Sequence, residues 1–123
     1  MIAYASRTGN VRYIVSRLQL PAIEIDHGVK LTQPFLLFTY TDGLGEVPRV
    51  VKEFMELNGA HCRGVVVSGN SNFGHHVFGG AGEAIARQWQ VPLVRKLDLR
   101  GFAEDYEAIR HYYEQRFREE KVG

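Results

Sequence analysis

Apolar positions along this chain follow two rhythms that alternate. Residues 2–5 form a short apolar run ending in Ser6-Arg7-Thr8-Gly9-Asn10, after which Val11, Ile14, Val15 and Leu18 recur at helical spacing. The chain therefore opens as strand, polar loop, helix. Pro21 stops that helix, and residues 22–26 read as a second strand. Residues 27–34 are a polar connector without helical period, so this crossover is a loop or a single turn. Phe35–Tyr40 is a continuous apolar run, as in a strand buried on both faces. The loop Thr41-Asp42-Gly43-Leu44-Gly45-Glu46 leads into a helix marked by Val47, Val50, Val51, Phe54 and Leu57. Pro48 falls near its first turn, where proline is tolerated, and Asn58-Gly59 ends it. Residues 65–67 make a fourth strand, followed by the polar loop Ser68-Gly69-Asn70-Ser71-Asn72-Phe73-Gly74. A helix over 84–90 and a fifth strand over 93–97 come next. The last helix carries Phe102, Tyr106, Ile109, Tyr113 and Phe117 on one stripe, and Glu107, Arg110, Glu114 and Arg118 on a solvated face.

The order βαββαβαβα predicts an α/β fold, a parallel sheet with helices on both faces. The chain's 123 residues suit a single domain, 1–123, without internal repeats. Cys62 is the only cysteine, which excludes an intramolecular disulfide and fits a reducing compartment. It is expected to be a small buried hydrophobe opening a strand. No long apolar segment and no basic leader precede the first strand, so a cytoplasmic protein without signal peptide or membrane span is expected. A net charge of +1 gives no case for nucleic acid or membrane as partner. Arginine outnumbers lysine eleven to four, which reads as compositional drift more simply than as a binding surface. His61, Cys62, His75 and His76 do not form a metal-ligand pattern, because the adjacent histidines share no face and no second cluster supports them. No metal is expected in this chain; His75 and His76 are placed on a loop near the ligand or at a partner surface, and Trp89 in the core.

The chemistry lies in three loops that follow strands one, three and four, and in an open parallel sheet ligands sit beyond those carboxyl ends. The first loop has the composition of a phosphate cradle. Ser6 and Thr8 offer hydroxyls, Asn10 an amide, Gly9 a tight turn, and the N–H groups of Gly9, Asn10 and Val11 open a helix whose dipole favours an anion. A plain capped helix start would use the same residue types. No lysine occupies a Walker position, which argues against a magnesium-bound triphosphate. In the second loop Gly43 and Gly45 let the backbone approach a flat ligand beneath Tyr40, although an ordinary Asp-Gly turn looks alike. A dinucleotide fingerprint fails, since Pro48 stands at the third glycine position. The third loop offers backbone amides, Asn70, Asn72 and Phe73, which suits a ligand with a hydrogen-bonding edge and a stacking face. The alternative is a solvated loop with Phe73 folded into the core.

The first loop, placed after a strand, resembles the flavin mononucleotide (FMN) phosphate loop of flavodoxins. The short chain, Thr39-Tyr40-Thr41-Asp42-Gly43-Leu44-Gly45-Glu46-Val47-Pro48, Ser68-Gly69-Asn70-Ser71-Asn72-Phe73-Gly74 and Phe78-Gly79-Gly80-Ala81-Gly82 together resemble the NrdI family. That family comprises the flavodoxin-like activators of class Ib ribonucleotide reductase. The resemblance runs from Ile2 to about Leu99. It implies a flavodoxin-like three-layer sandwich with five parallel strands ordered 2-1-3-4-5 and one non-covalent FMN. Carried onto this sequence, it implies cofactor contacts from Ser6, Arg7, Thr8, Gly9, Asn10 and Val11. From the second loop it implies Tyr40, Thr41, Asp42, Gly43, Leu44, Gly45 and Val47. From the third it implies Ser68, Gly69, Asn70, Asn72, Phe73 and Gly74, and beyond it Phe78 and Gly79. Gly43 is placed beside flavin N5 and is the one residue assigned to the reaction.

The reaction so implied is that of reduced flavin with dioxygen. It supplies a superoxide-level oxidant for assembly of the dimanganese-tyrosyl radical cofactor in the reductase's radical-bearing subunit. The implied partners are that subunit, which owns the manganese, and a flavin or flavodoxin reductase or thiol-redox donor. The chain would then be a redox activator rather than a conventional turnover enzyme. Val11 stands where many flavodoxins carry a further hydroxyl, so one side-chain donor to the phosphate is missing. The near-neutral charge also differs from that of acidic electron carriers and should raise the potential of an anionic reduced flavin. A general one-electron-transfer flavodoxin is the alternative reading. A phosphoacceptor module would need acidic residues where Tyr4, Ala5 and Ser6 stand, and a low-molecular-weight phosphatase would need a cysteine in the first loop.

Overall fold

In a computed structural model that describes residues 1–74 and 77–122 (119–122 by backbone alone), Val11, Ile14, Val15 and Leu18 are all buried along α1 (Asn10–Leu18). The remaining helices are α2 (Arg49–Asn58), α3 (Gly80–Trp89) and α4 (Ala103–Val122). Among the described residues, β1 (Ile2–Tyr4), β2 (Ala22–Glu24), β3 (Phe35–Tyr40), β4 (Cys62–Gly69) and β5 (Leu93–Asp98) form one parallel sheet. Its order is β2-β1-β3-β4-β5, the flavodoxin-like arrangement that the resemblance implied. No helix of the described residues is long and apolar enough to cross a membrane.

Alternation along β3 builds both halves of the core. Leu36 and Phe38 pack with Ile2, Val11, Ile14 and Ile109 beneath α1 and α4, while Phe35 and Leu37 pack with Ala3, Val51, Phe54 and Ile85 beneath α2 and α3. The connector between β2 and β3 has no helix. The buried Asn58 side chain holds it instead, accepting the Leu31 N–H at 2.7 Å and donating to the Val29 carbonyl at 2.8 Å. Cys62 opens β4 and is buried, as expected, and Trp89 packs partly buried against the core.

Several boundaries differ from the sequence expectation. β4 extends well beyond residues 65–67: Cys62 pairs with Phe35, Ser68 with Tyr40 and Leu97, and Gly69 with Asp98, so pairing draws in Ser68 and Gly69, which have little strand propensity of their own. β2 stops at Glu24, as suits a short edge strand. α3 starts at Gly80 rather than 84: its two glycines lower local propensity, yet Gly82 lets the helix sit where a Cβ would lie 2.6 Å from Val67 Cγ1. Leu57 is exposed, not buried; it lies roughly 100° around α2 from the Val51/Met55/Asn58 stripe. Phe102 is exposed too. It precedes α4, and its N–H donates to Asp105 Oδ2 at 2.7 Å, a capping contact rather than a core position.

Candidate functional site

Strand register brings the loops together. Tyr4 pairs with Phe38, Tyr40 with Ser68, and Gly69 with Asp98, so the chain leaves β1, β3, β4 and β5 at one edge. Strand order reverses between β1 and β3, which opens a crevice there. A cleft of about 500 Å³ fills that position, within the range of small-molecule sites. A larger groove, about 630 Å³, lies at the opposite edge by Met1, Pro21 and Pro34, and none of the three loops reaches it.

The first loop forms one wall through Ser6, Arg7, Thr8, Asn10 and Val11. Gly9 caps α1 in the left-handed conformation, φ 95°, with open space around its Cβ direction. Ser6 Oγ accepts the N–H of Arg12 at 3.2 Å, which fixes the loop against the first helical turn and leaves the hydroxyl proton free to donate. Among the described residues the N–H groups of Gly9, Asn10 and Val11 have no hydrogen-bond acceptor. Val11 contributes its backbone alone, since its side chain is buried in the core. The geometry is that of an anion cradle at a helix start.

Tyr40, Thr41 and Gly43 line a second wall. Arg7 spans from the first loop to the second, 2.5 Å from Asp42 Oδ1 and 5.0 Å above the Tyr40 ring. Asp42 thus holds Arg7 at the rim and is not among the lining residues. The loop is a tight hairpin in which Asp42 N–H donates to the Glu46 carbonyl at 2.8 Å and Glu46 N–H to the Asp42 carbonyl at 2.7 Å. Thr41 Oγ1 is buried without a partner among the described residues, an uncommon state for a native hydroxyl and one a ligand can relieve.

Ser68, Gly69, Asn70 and Phe73 complete the lining expected from sequence. Phe73 is 68 % exposed and faces the cleft instead of folding into the core. Ser71 ties its loop to β5, donating from N–H at 3.1 Å and from Oγ at 2.5 Å to Asp98. Those two bonds hold the Asp98 carboxyl below its ordinary pKa, the side-chain bond contributing most.

Other expected contacts lie elsewhere. Leu44 is 82 % exposed, outside the cleft at the tip of the hairpin. Gly45 packs backbone to backbone on α3, where a Cβ on Gly80 would meet its carbonyl at 2.8 Å. Val47 is the first residue of the apolar stripe leading into α2 and joins the core. Asn72 and Gly74 are exposed members of the Ser71–Phe73 turn and its cap, with the Asn72 N–H held by Asn70 Oδ1 at 2.9 Å. Phe78 and Gly79 pack against Gly69 and Lys96. His75 and His76 lie outside the described residues.

Val77 and Leu99, which the sequence does not mark as site residues, also line the cleft. Leu99 takes a left-handed conformation, φ 57°, which costs a non-glycine residue roughly 1 kcal/mol. Its carbonyl accepts from Ser68 Oγ and its N–H donates to the Gly69 carbonyl at 2.7 Å. No residue-type signal marks such a leucine; only its place after a parallel strand, on the ligand edge, could have suggested it. Arg7 is the one charged residue in the lining, among the described residues, and its charge is paired with Asp42 at the rim.

Comparison with solved structures finds a short-chain flavodoxin associated with a non-canonical PDU bacterial microcompartment, 19 % identical, with TM-score 0.68 and 92 % of each chain covered. That likeness speaks to the fold. A family model described as NrdI flavodoxin like matches residues 2–111. The chain belongs to the NrdI flavodoxin-like family.

Proposed function

We propose that this protein holds one FMN in the cleft and serves as a redox activator of the radical-bearing subunit of class Ib ribonucleotide reductase. One observation carries the reading: an anion cradle at a helix start and two aromatic walls, Tyr40 and Phe73, share one cleft at the sheet's switch point. The orphaned Thr41 hydroxyl in the same wall supports a polar ligand. The backbone N–H groups at 9–11, with the Ser6 and Thr8 hydroxyls, would hold the phosphate. Tyr40, Phe73 and Leu99 would flank the ring, and Gly69 and Asn70 would meet its polar edge.

Bound FMN supplies one- and two-electron transfer and, when reduced, reaction with dioxygen. The chain's own part is to bind, orient and adapt. Gly43 sits at φ 46°, in the conformation glycine tolerates best, and the following Leu44 packs on little. The peptide between them can turn without displacing core contacts. It would offer a carbonyl to N5 when that atom carries a proton and withdraw it otherwise, sparing an unsatisfied group worth about 1–3 kcal/mol. The same hairpin faces outward beside Phe73, so the turn would also alter the surface offered to the reductase subunit.

An absorbance spectrum of purified protein and titration of apo-protein with FMN test the cofactor. Aerobic reoxidation with and without the manganese-loaded subunit tests the role. Subunit-dependent tyrosyl radical formation is the expected result, and reoxidation indifferent to the subunit would leave a general electron carrier.

A further inference from the structure

Around the first loop, Arg7 is paired with Asp42 and Arg12 with Glu24. Arg100 is not: among the described residues no carboxylate lies within ion-pair distance of it. Its guanidinium lies 4.2 Å over the Tyr13 ring, and its Nε donates to Asn10 Oδ1 at 3.3 Å. Asn10 begins α1 and lines the cleft, 90 positions away in sequence.

The backbone behind Arg100 is fixed. Its carbonyl accepts the Tyr106 hydroxyl at 2.6 Å, and the left-handed turn at Leu99 before it is bonded to Gly69. Arg100 is thus an unpaired cation held in place by aromatic stacking and a carbonyl anchor. An arginine can stack and donate at once, which a lysine cannot do with the same geometry.

The bond to Asn10 has a directional consequence. An asparagine amide has an accepting end and a donating end, and a guanidinium takes the accepting end. The Asn10 N–H₂ is left for a ligand. That arrangement suits an anion, and the unpaired charge adds attraction of the same sign. A neutral hydroxyl accepts from the same N–H₂ only as an uncharged partner, a weaker bond without the added attraction.

We propose that Arg100 is a positioning residue of the phosphate subsite. It orients the Asn10 amide as a donor and makes the site select the phosphorylated flavin over unphosphorylated riboflavin. The inference rests on the reading of the cleft as an FMN site and goes beyond it, to how the phosphate is discriminated.

The test is titration of apo-protein with FMN and with riboflavin, at low and high salt, in wild type, Arg100→Ala, Arg100→Lys and Tyr13→Leu. Wild type should prefer FMN. Arg100→Ala should weaken FMN about tenfold and riboflavin less than about twofold, and flatten the salt dependence of FMN binding. Arg100→Lys should keep the salt dependence but recover the affinity only in part. Tyr13→Leu, which loosens the guanidinium without removing its charge, should weaken FMN about threefold. These last two variants carry the test if the alanine variant fails to fold. Wild type binding neither ligand would remove the FMN reading and this inference together. An FMN-to-riboflavin preference unchanged in Arg100→Ala, or an equal loss of both ligands, would overturn the role of Arg100 alone.

Discussion

The Ser68 hydroxyl donates to the Leu99 carbonyl at 2.5 Å and so locks a left-handed leucine into the cleft wall. The bond joins the end of β4 to the exit of β5. Ser68→Ala should cost about 1 kcal/mol of stability, measured by urea unfolding. It should also weaken flavin binding, because Leu99 is freed to relax toward ordinary φ. Full affinity in a destabilised Ser68→Ala protein would show that Leu99 is a bystander.

Ser6 and Thr8 should separate binding from stability. Ser6 Oγ accepts the Arg12 N–H, so Ser6→Ala removes a contact to the first helical turn and should cost about 0.5–1 kcal/mol of stability as well as affinity. Thr8 is exposed with no hydrogen bond from its side chain among the described residues, so Thr8→Ala should leave the melting temperature unchanged. It should still weaken FMN by about 1–3 kcal/mol, through loss of a donor to a charged group. Calorimetric titration alongside thermal unfolding distinguishes the two; unchanged FMN affinity in both variants would move the phosphate elsewhere.

Phe73 contributes little to the fold, being mostly exposed. Phe73→Ala should change stability by less than about 0.5 kcal/mol. Flavin fluorescence, quenched in wild type by the neighbouring ring, should recover in the variant. Equal quenching in both would assign stacking to Tyr40.

Gly43→Val places a β-branched residue at φ 46° and should resist the proposed peptide turn. The expected outcome is shifted one-electron potentials and slower radical formation in the partner, read by spectroelectrochemistry and electron paramagnetic resonance. Unaltered potentials, with the same hairpin in oxidised and reduced crystals, would show that no such switch exists.

Burial pushes the Cys62 thiol up to about 11 from 9.0. The folded state therefore keeps its proton at a pH where the unfolded chain releases it. Stability from this group is intact below about pH 9 and falls by about 1.4 kcal/mol per pH unit between the two values. Comparing the alkaline unfolding of wild type with Cys62→Val isolates the effect. Native protein at neutral pH should resist thiol-alkylating reagents and react once unfolded; rapid native alkylation would contradict the burial.

The order of elements was legible in the sequence, because the strands read as short apolar runs and the helix faces as periodic patterns of apolar positions. Phe35–Tyr40 matches β3 at both ends, and the α1 stripe is buried at every expected position. The first loop's place was legible for the same local reason: its residue types suit a helix start, and it opens α1 at the cleft. Other features depend on partners far along the chain. β4 grew because its neighbours pair with it, Gly45 and Phe78 met protein instead of the cleft, and Phe102 became a cap instead of core. Leu99 and Arg100 carry no local signal. Their roles arise because β5 ends at the same edge as β4 and brings residue 100 against residue 10. A sequence window records propensity and period; it cannot record which atoms the sheet register brings together.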